Sequence, residues 1–170
     1  MFKKDDIVVN KKGQVCKVID ILPNFDVGLG KNTYYVLIPY FNKGNETTKY
    51  YIPADKNDAL RSALNEEEIL KLIDSIPQIK AIWISNPKVR KTKFKELYNT
   101  GKPVEIFRLI KSFERKKREL EKSNKFLSFT DDNFLREIKS NIYSEISIAL
   151  KIKASEVEGY IFDRLAKISS

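Results

Sequence analysis

Residues 78–125 read QIKAIWISNPKVRKTKFKELYNTGKPVEIFRLIKSFERKKRELEKSNK, and this stretch decides how the chain is organised. It contains fifteen Lys or Arg residues against five Glu, together with the only tryptophan, Trp83. Charges balance in residues 1–77 and nearly balance in residues 126–170, so the positive excess of the +9 chain lies here. A localised basic stripe with an aromatic residue in it indicates a surface that faces phosphate groups. The alternative is a helix face whose charges are only solvated.

Two helices are predicted within this stretch. Asn86 and Pro87 are typical of an N-cap followed by proline at the first helical position. That helix should run to Asn99, and Gly101 supplies its stop. Pro103 opens the second helix, whose apolar side chains recur at helical spacing on one face. These inward residues are Ile106, Phe107, Ile110 and Phe113.

Further helices are predicted on both sides of the basic stretch. Asn65 and Glu68 have the spacing of a capping box before an apolar helical pattern. Thr130 begins a fourth helix with two carboxylates at its positive end. Ser155 and Glu158 form a second predicted capping box, before the last helix. Residues 61–170 are therefore predicted to form a compact all-helical domain of about five helices.

Residues 5–53 instead show the features of β structure. Short runs rich in Val, Ile and Tyr alternate with turn residues. The predicted connections are a tight turn at Lys12-Gly13, one longer loop marked by Pro23-Asn24 and Gly28-Leu29-Gly30, and a hairpin at Gly44-Asn45. This spacing favours a small antiparallel barrel of the Tudor or SH3 type over residues 1–60. The fold class is therefore α+β, with an N-terminal barrel followed by helices.

The composition excludes several functional classes. The chain has no histidine and one cysteine, Cys16, so it lacks the residues for a Ser-His-Asp or Cys-His site or a structural zinc site. Cys16 lies in a predicted strand and is expected to be a buried structural thiol. No nucleotide-binding loop or nucleophile motif occurs, and the expectation is a protein that is not an enzyme and needs no cofactor. The longest uncharged run, residues 32–42, is too short to span a membrane, and no signal peptide is apparent, so a cytoplasmic protein is expected.

The first turns of the helix after Asn86 have an unusual concentration of cations. Their side chains are Lys88, Arg90, Lys91, Lys93 and Lys95. Positive charge at the N-terminus of a helix works against the helix dipole. The pattern suggests that a polyanion compensates this charge, with the free N–H groups of the first turn also able to hold phosphate.

Trp83 has two possible roles that the sequence leaves open. It is flanked by Ile82 and Ile84, which is typical of a core anchor under the helices. It also stands shortly before the basic helix, where an exposed indole would wedge or stack against a base.

The ordered set of features resembles the CarD/CdnL family of bacterial transcription regulators over essentially the full chain. The N-terminal block is similar to that family's Tudor-like polymerase-interaction domain. This similarity rests on Gly13 after DDIVVN, on the YYVL strand at residues 34–37, on YIP at residues 51–53, and on Arg61. The helical block is similar through Trp83, the basic run at residues 88–95, ELYNTGKP, IFRLIKSFERKKRE and the C-terminal SEISIALKI.

The resemblance implies that the barrel adds its sheet edge to a strand of the RNA polymerase β subunit. The candidate polymerase-binding residues are Leu22, Tyr34, Tyr35 and Tyr51. It also implies that the helical domain contacts promoter DNA and stabilises the open complex. In that role Trp83 enters the minor groove, while the phosphate backbone is contacted by Lys88, Arg90, Lys91 and Lys93.

The predicted function is therefore a transcription regulator, expected to be a nucleoid-associated monomer in the cytoplasm. The alternative is a free-standing protein that binds nucleic acid without sequence preference, through the barrel as well as the helices. The near-neutral charge of the first 60 residues favours a protein-docking role for the barrel.

Overall fold

A computed structural model describes residues 1–41, 48–56 and 58–169. The chain divides into two compact units, Met1–Ala63 and Leu64–Ser170. The first contains an antiparallel sheet and the second contains five α-helices, which confirms the predicted α+β fold class. The first unit extends beyond residue 60 because a short strand, Leu60–Ser62, pairs with the first strand of the sheet.

In the described part of the first unit the sheet has five strands in the order β4-β3-β2-β1-β5, and all the ladders there are antiparallel. In chain order the strands are β1 Ile7–Asn10, β2 Val15–Asp26, β3 Lys31–Pro39, β4 Tyr50–Pro53 and β5 Leu60–Ser62. Among the described residues, β4 pairs with β3 alone and β5 with β1 alone. These two are therefore the end strands of the sheet.

The predicted turn at Lys12-Gly13 is confirmed, and so is the Gly28-Leu29-Gly30 part of the predicted longer loop. Gly13 has a φ of 77° and its N–H donates to the Asn10 carbonyl at 2.9 Å, which closes the turn between β1 and β2. In the turn between β2 and β3, Asp26 Oδ1 accepts from the N–H groups of Gly28 and Gly30 at 2.8 and 3.0 Å. Both glycines have positive φ angles, a conformation that other residues rarely adopt.

The predicted longer loop is wrong at its Pro23-Asn24 end. Both residues lie within β2, where the register with β3 shifts between Leu22 and Phe25. Asn24 has a φ of 53°, so the two residues form an irregularity inside a long strand. The hairpin predicted at Gly44-Asn45 lies outside the described residues.

Apolar residues are buried on both faces of the sheet: Val9, Val15, Tyr34 and Val36 on one face, and a larger core cluster on the other. The buried members of this cluster are Val8, Cys16, Val18, Tyr35, Leu37 and Leu60. As predicted, Cys16 is a buried free thiol, and burial raises its pKa to about 11. The thiol is therefore protonated at neutral pH and packs as a small apolar side chain.

The helices are α1 Glu66–Ser75, α2 Pro87–Asn99, α3 Pro103–Glu121, α4 Phe129–Leu150 and α5 Ala154–Ser169, with one turn of 3₁₀ helix at Ile76–Gln78. The capping box at α1 is confirmed, because Asn65 Oδ1 accepts from the Glu68 N–H and Glu68 Oε2 accepts from the Asn65 N–H. Gly101 has a φ of 68° just after α2, as a helix stop requires.

The start of α5 differs from the prediction. Glu156 Oε2 accepts from the Lys153 N–H at 3.0 Å, and the helix begins at Ala154. The predicted capping pair of Ser155 and Glu158 therefore lies inside the helix. Glu158 instead pairs with Lys139 on α4, at 2.9 Å.

The helical core is formed by apolar side chains from all five helices. Its fully buried members include Ile69 and Ile73 from α1, Phe113 from α3, Ile138 from α4 and Val157 from α5. Every buried side-chain nitrogen or oxygen of the described residues has a hydrogen-bond partner. Within the same residues, no helix combines the length and apolar character that crossing a lipid bilayer requires.

Candidate nucleic-acid interface

The basic helix α2 packs through one face. Arg90, Phe94 and Tyr98, spaced four residues apart, are its buried side chains. Lys88, Lys91 and Lys95 are exposed and lie at positions i, i+3 and i+7, so they form one continuous stripe. No acidic residue occurs in the first turn of α2. We call these three side chains the lysine stripe.

Lys93, a predicted phosphate contact, lies outside the lysine stripe. It is exposed, and its Nζ is 3.3 Å from Glu96 Oε2 on the next turn. Helical spacing places Lys93 on the same flank as Val89 and away from Lys91 and Lys95. Lys95, which was not among the predicted phosphate contacts, is better placed than Lys93 to contact the same phosphate backbone as Lys88 and Lys91.

The N-terminus of α2 is closed by its own cap. Asn86 Oδ1 accepts from the N–H groups of Lys88 and Val89 at 3.0 and 3.1 Å. Pro87 has no N–H group, and the Arg90 N–H donates to the Asn86 carbonyl. The expectation that free N–H groups of this turn hold a phosphate is therefore wrong, and the anion-binding capacity of α2 lies in its lysine side chains.

Arg90 has an architectural position rather than the predicted position at the surface. The residue is 7% exposed, and its guanidinium donates to Asp131 of α4, with the shorter contact at 2.7 Å. Its remaining nitrogen donates to the carbonyls of Ile84 and Ser85 at 2.7 and 3.2 Å. These contacts fix the segment before α2 to the start of α4, and they leave no face of the guanidinium open to a phosphate.

Trp83 combines features of both roles that the sequence left open. The side chain is partly buried and packs against the helical core. Its ring makes edge-to-face contacts with Phe94 and Phe113, at centroid distances of 6.0 and 5.9 Å. The Arg90 guanidinium lies 4.5 Å from the ring centroid, and Lys116 Nζ lies 5.6 Å from it. The indole is therefore held in a fixed direction while part of it stays accessible.

A polar cleft of about 280 Å³ lies beside the accessible part of Trp83. It is lined by Ala81, Ile82, Trp83, Ser112, Arg115, Lys116 and Glu119. Arg115 is exposed, and Lys116 pairs with Glu119 at 3.2 Å. The α3 cations were not predicted to be neighbours of Trp83. A signal was present in the sequence, because Lys116 follows the inward-facing Phe113 by three residues and so lies on the same side of the helix.

The predicted polymerase-binding residues separate onto two faces of the sheet. Leu22 is paired with Tyr34, and Val36 with Tyr51, so Leu22, Tyr34 and Tyr51 share one face. Tyr35 points to the opposite face and belongs to the sheet core. Its hydroxyl accepts from the Phe2 N–H at 3.2 Å.

Solvent exposure reduces the number of candidate polymerase-binding residues further. Tyr34 and Tyr35 are 2% and 5% exposed, so neither is presented for docking in this conformation. Leu22 is half-buried, and Tyr51 is 42% exposed on the end strand β4. Tyr51 is therefore the most accessible of the four candidates.

The described part of the chain has no group of three or more His, Cys, Asp or Glu side chains placed to hold a metal ion. No protein-family model and no curated protein matches the chain, so the family resemblance of the sequence remains a prediction.

Proposed function

We propose that the protein regulates transcription initiation by binding the RNA polymerase β subunit through its N-terminal sheet and DNA through its helical unit. The lysine stripe of α2 is the observation on which the DNA-binding part depends. Three exposed ammonium groups occupy one face of a helix whose first turn has no acid. The bound unit would then stabilise the open promoter complex, as the resemblance implies.

The geometry of the stripe supports contact with a phosphate backbone. Lys88 and Lys95 are separated by seven residues, which corresponds to about 10 Å along a helix. Successive phosphates of one DNA strand advance about 3.4 Å along the duplex axis, and the strand also winds around that axis, so the stripe is long enough to reach more than one phosphate. Lys88 lies in the first turn of α2, where a cation is unfavourable by about 0.3–1 kcal/mol in the free protein, and a bound phosphate offsets this cost.

Trp83 adds an aromatic contact next to these charges. Its edge-to-face contacts and the Arg90 guanidinium fix the ring plane before any DNA is bound. A preorganised aromatic side chain loses little conformational entropy when it enters a groove or meets a base. The partial exposure of the indole therefore supports the wedge role that the resemblance implies for Trp83.

The end strand β4 supports the polymerase-binding part of the proposal. Among the described residues β4 pairs with β3 alone, so its other edge is available for a further strand. Added strands bind through main-chain hydrogen bonds, and neighbouring side chains supply specificity. Tyr51 is the exposed side chain on β4 that would do so.

DNA binding is tested by measuring affinity for a duplex as a function of salt concentration. The variant Lys88→Gln/Lys91→Gln/Lys95→Gln should lower the slope of log affinity against log salt by about 0.9 for each lysine that meets a phosphate in the wild type. A matched control removes three lysines elsewhere in the helical unit, in the variant Lys71→Gln/Lys153→Gln/Lys167→Gln, and should keep the wild-type slope. An unchanged slope in the first variant would mean that the lysine stripe is only solvated.

Polymerase binding is tested by retention of purified β subunit on the immobilised full-length chain. Tyr51→Ser should weaken retention, while Leu29→Ser, at a highly exposed residue of the β2–β3 turn, should not. If the wild-type chain binds duplex DNA but does not retain the β subunit, the free-standing nucleic-acid-binding protein becomes the better description.

A further inference from the structure

Two exposed phenylalanines lie where α3 is connected to α4: Phe126 in the connection itself and Phe129 as the first residue of α4. Phe126 and Phe129 are each 83% exposed, more than any other aromatic side chain among the described residues. Exposed single apolar residues are common on protein surfaces. Two such aromatic rings within four residues, next to lysines, are a more specific feature and indicate a contact surface.

The connection between α3 and α4 is held in place by hydrogen bonds and packing. The exposure of the two rings is therefore not the result of a loosely held loop. Asn124 has a φ of 54°, and the Lys125 N–H donates to the Leu120 carbonyl at 2.9 Å, which ends α3. At the other end, Ser128 Oγ accepts from the Asp131 N–H at 3.2 Å and caps α4. Between these points Leu127 packs against the helical core. With both ends and the middle anchored, Phe126 and Phe129 remain directed away from the core.

The segment that carries the two rings is itself positively charged. Lys122 and Lys125 are exposed, and residues 122–130 contain no acid. The first carboxylates of α4 are already paired: Asp131 with Arg90 at 2.7 Å, and Asp132 with Arg136 at 2.9 Å. The connection therefore offers aromatic faces and ammonium groups to a partner with negative charge.

The same connection is joined to the Trp83 site by direct contacts. Asp131 follows Phe129 by two residues and holds the Arg90 guanidinium that lies over the Trp83 ring. Arg115 and Lys116, the α3 cations next to Trp83, lie on the same helix, whose C-cap is Lys122. The aromatic connection and Trp83 therefore belong to one end of the helical unit, where the starts of α2 and α4 meet the end of α3.

From these observations we infer that residues 122–129 bind unpaired nucleotides, with Phe126 and Phe129 stacking on bases and Lys122 and Lys125 contacting the strand's phosphates. This inference rests on the proposed function and extends it to the single-stranded part of an opened duplex. Phenylalanine has no hydrogen-bonding group, so it selects exposed base faces without reading sequence. A closed duplex keeps its base faces stacked and hidden, so these two rings have no stacking partner there.

The test compares two DNA ligands with the full-length chain, a short single strand and a duplex of the same sequence. Phe126→Ser/Phe129→Ser should weaken binding to the single strand by at least about twenty-fivefold, because each lost base-stacking aromatic residue weakens binding by about fivefold or more. Binding to the duplex should change by less than about twofold, since the variant keeps the lysine stripe. Phe162→Ser, at an exposed phenylalanine of α5, is the matched control and should bind both ligands like the wild type.

The outcomes separate this inference from the proposed function. If the wild type binds the duplex and the double variant binds the single strand as tightly as the wild type, only the inference about residues 122–129 is wrong. If the double variant instead loses binding to vesicles of anionic lipid and keeps its single-strand affinity, the surface is a membrane contact and the inference is likewise overturned. If the wild type binds neither DNA at low salt, the proposed function fails as well.

Discussion

Replacing Asp131 with alanine leaves the Arg90 guanidinium buried without its carboxylate partner. Arg90 and Asp131 are 7% and 8% exposed, and their closest nitrogen–oxygen distance is 2.7 Å. Removing one member of a buried pair destabilises a protein by roughly 3–5 kcal/mol. Arg90 would keep the carbonyls of Ile84 and Ser85, so the lower end of that range, about 3 kcal/mol, is expected. The free energy of unfolding of a small domain is about 5–15 kcal/mol, so the variant should still fold.

Urea unfolding followed by tryptophan fluorescence measures this decrease in stability. Trp83 is the only tryptophan and its ring contacts Arg90, so the signal reports on the helical unit. Asp132→Ala is the control, since its partner Arg136 is largely exposed, and it should lower the unfolding free energy by less than about 1 kcal/mol. A cycle with Arg90→Met should give a coupling of about 2 kcal/mol between Arg90 and Asp131. A decrease below about 0.5 kcal/mol for Asp131→Ala would refute the architectural role of Arg90.

Two further predictions concern stability. Trp83→Ala should lower the free energy of unfolding by about 2 kcal/mol, because the half-buried indole makes two edge-to-face contacts. This is measured by urea titration followed by far-UV circular dichroism, since the variant has no tryptophan, and an unchanged free energy would contradict the packed position of Trp83. The free energy of unfolding of the helical unit should also decrease above about pH 10. The expected decrease is roughly 1–2 kcal/mol, a value that allows for solvent screening of these partly exposed groups. Burial raises the pKa of Tyr143 to about 12; burial lowers the pKa of Lys139, but hydrogen bonds to Glu114 and Glu158 outweigh this and raise it overall. The unfolded chain therefore releases these protons first and unfolding becomes easier as pH rises, so Tyr143→Phe should reduce the difference in stability between urea titrations at about pH 8 and about pH 11.

Local signals in the sequence were sufficient to predict most of the helices. The Asn65 capping box, Pro87 after Asn86, and Gly101 after α2 act through neighbouring residues, so their spacing alone determines the result. The strand β5 was not predicted, because its three residues are recognisable only from their pairing with β1. The same limit applies to α5, where two acidic residues, Glu156 and Glu158, could each have capped the helix and only the fold decides between them.

The candidate site could be predicted only in part, and the limit is again the need to know residues that are distant in sequence. Helical spacing identified α2 as a basic helix, but the cations on its buried face cannot be distinguished from the exposed ones until the neighbouring helix is known. Arg90 is the clearest example, because its partner Asp131 is 41 positions further along the chain. Tyr34 and Tyr35 show the same limit in the sheet, since both are buried although adjacent strand residues point to opposite faces.

The lifetime of an open promoter complex tests the central proposal most directly. Bacterial RNA polymerase is allowed to open a linear promoter fragment, a competitor is added, and the surviving complex is followed over time with and without the full-length chain. The proposal predicts that the wild-type chain prolongs this lifetime, that Lys88→Gln/Lys91→Gln/Lys95→Gln removes most of the effect, and that Lys71→Gln/Lys153→Gln/Lys167→Gln keeps it. An unchanged lifetime at wild-type concentrations that saturate duplex DNA would contradict the proposal.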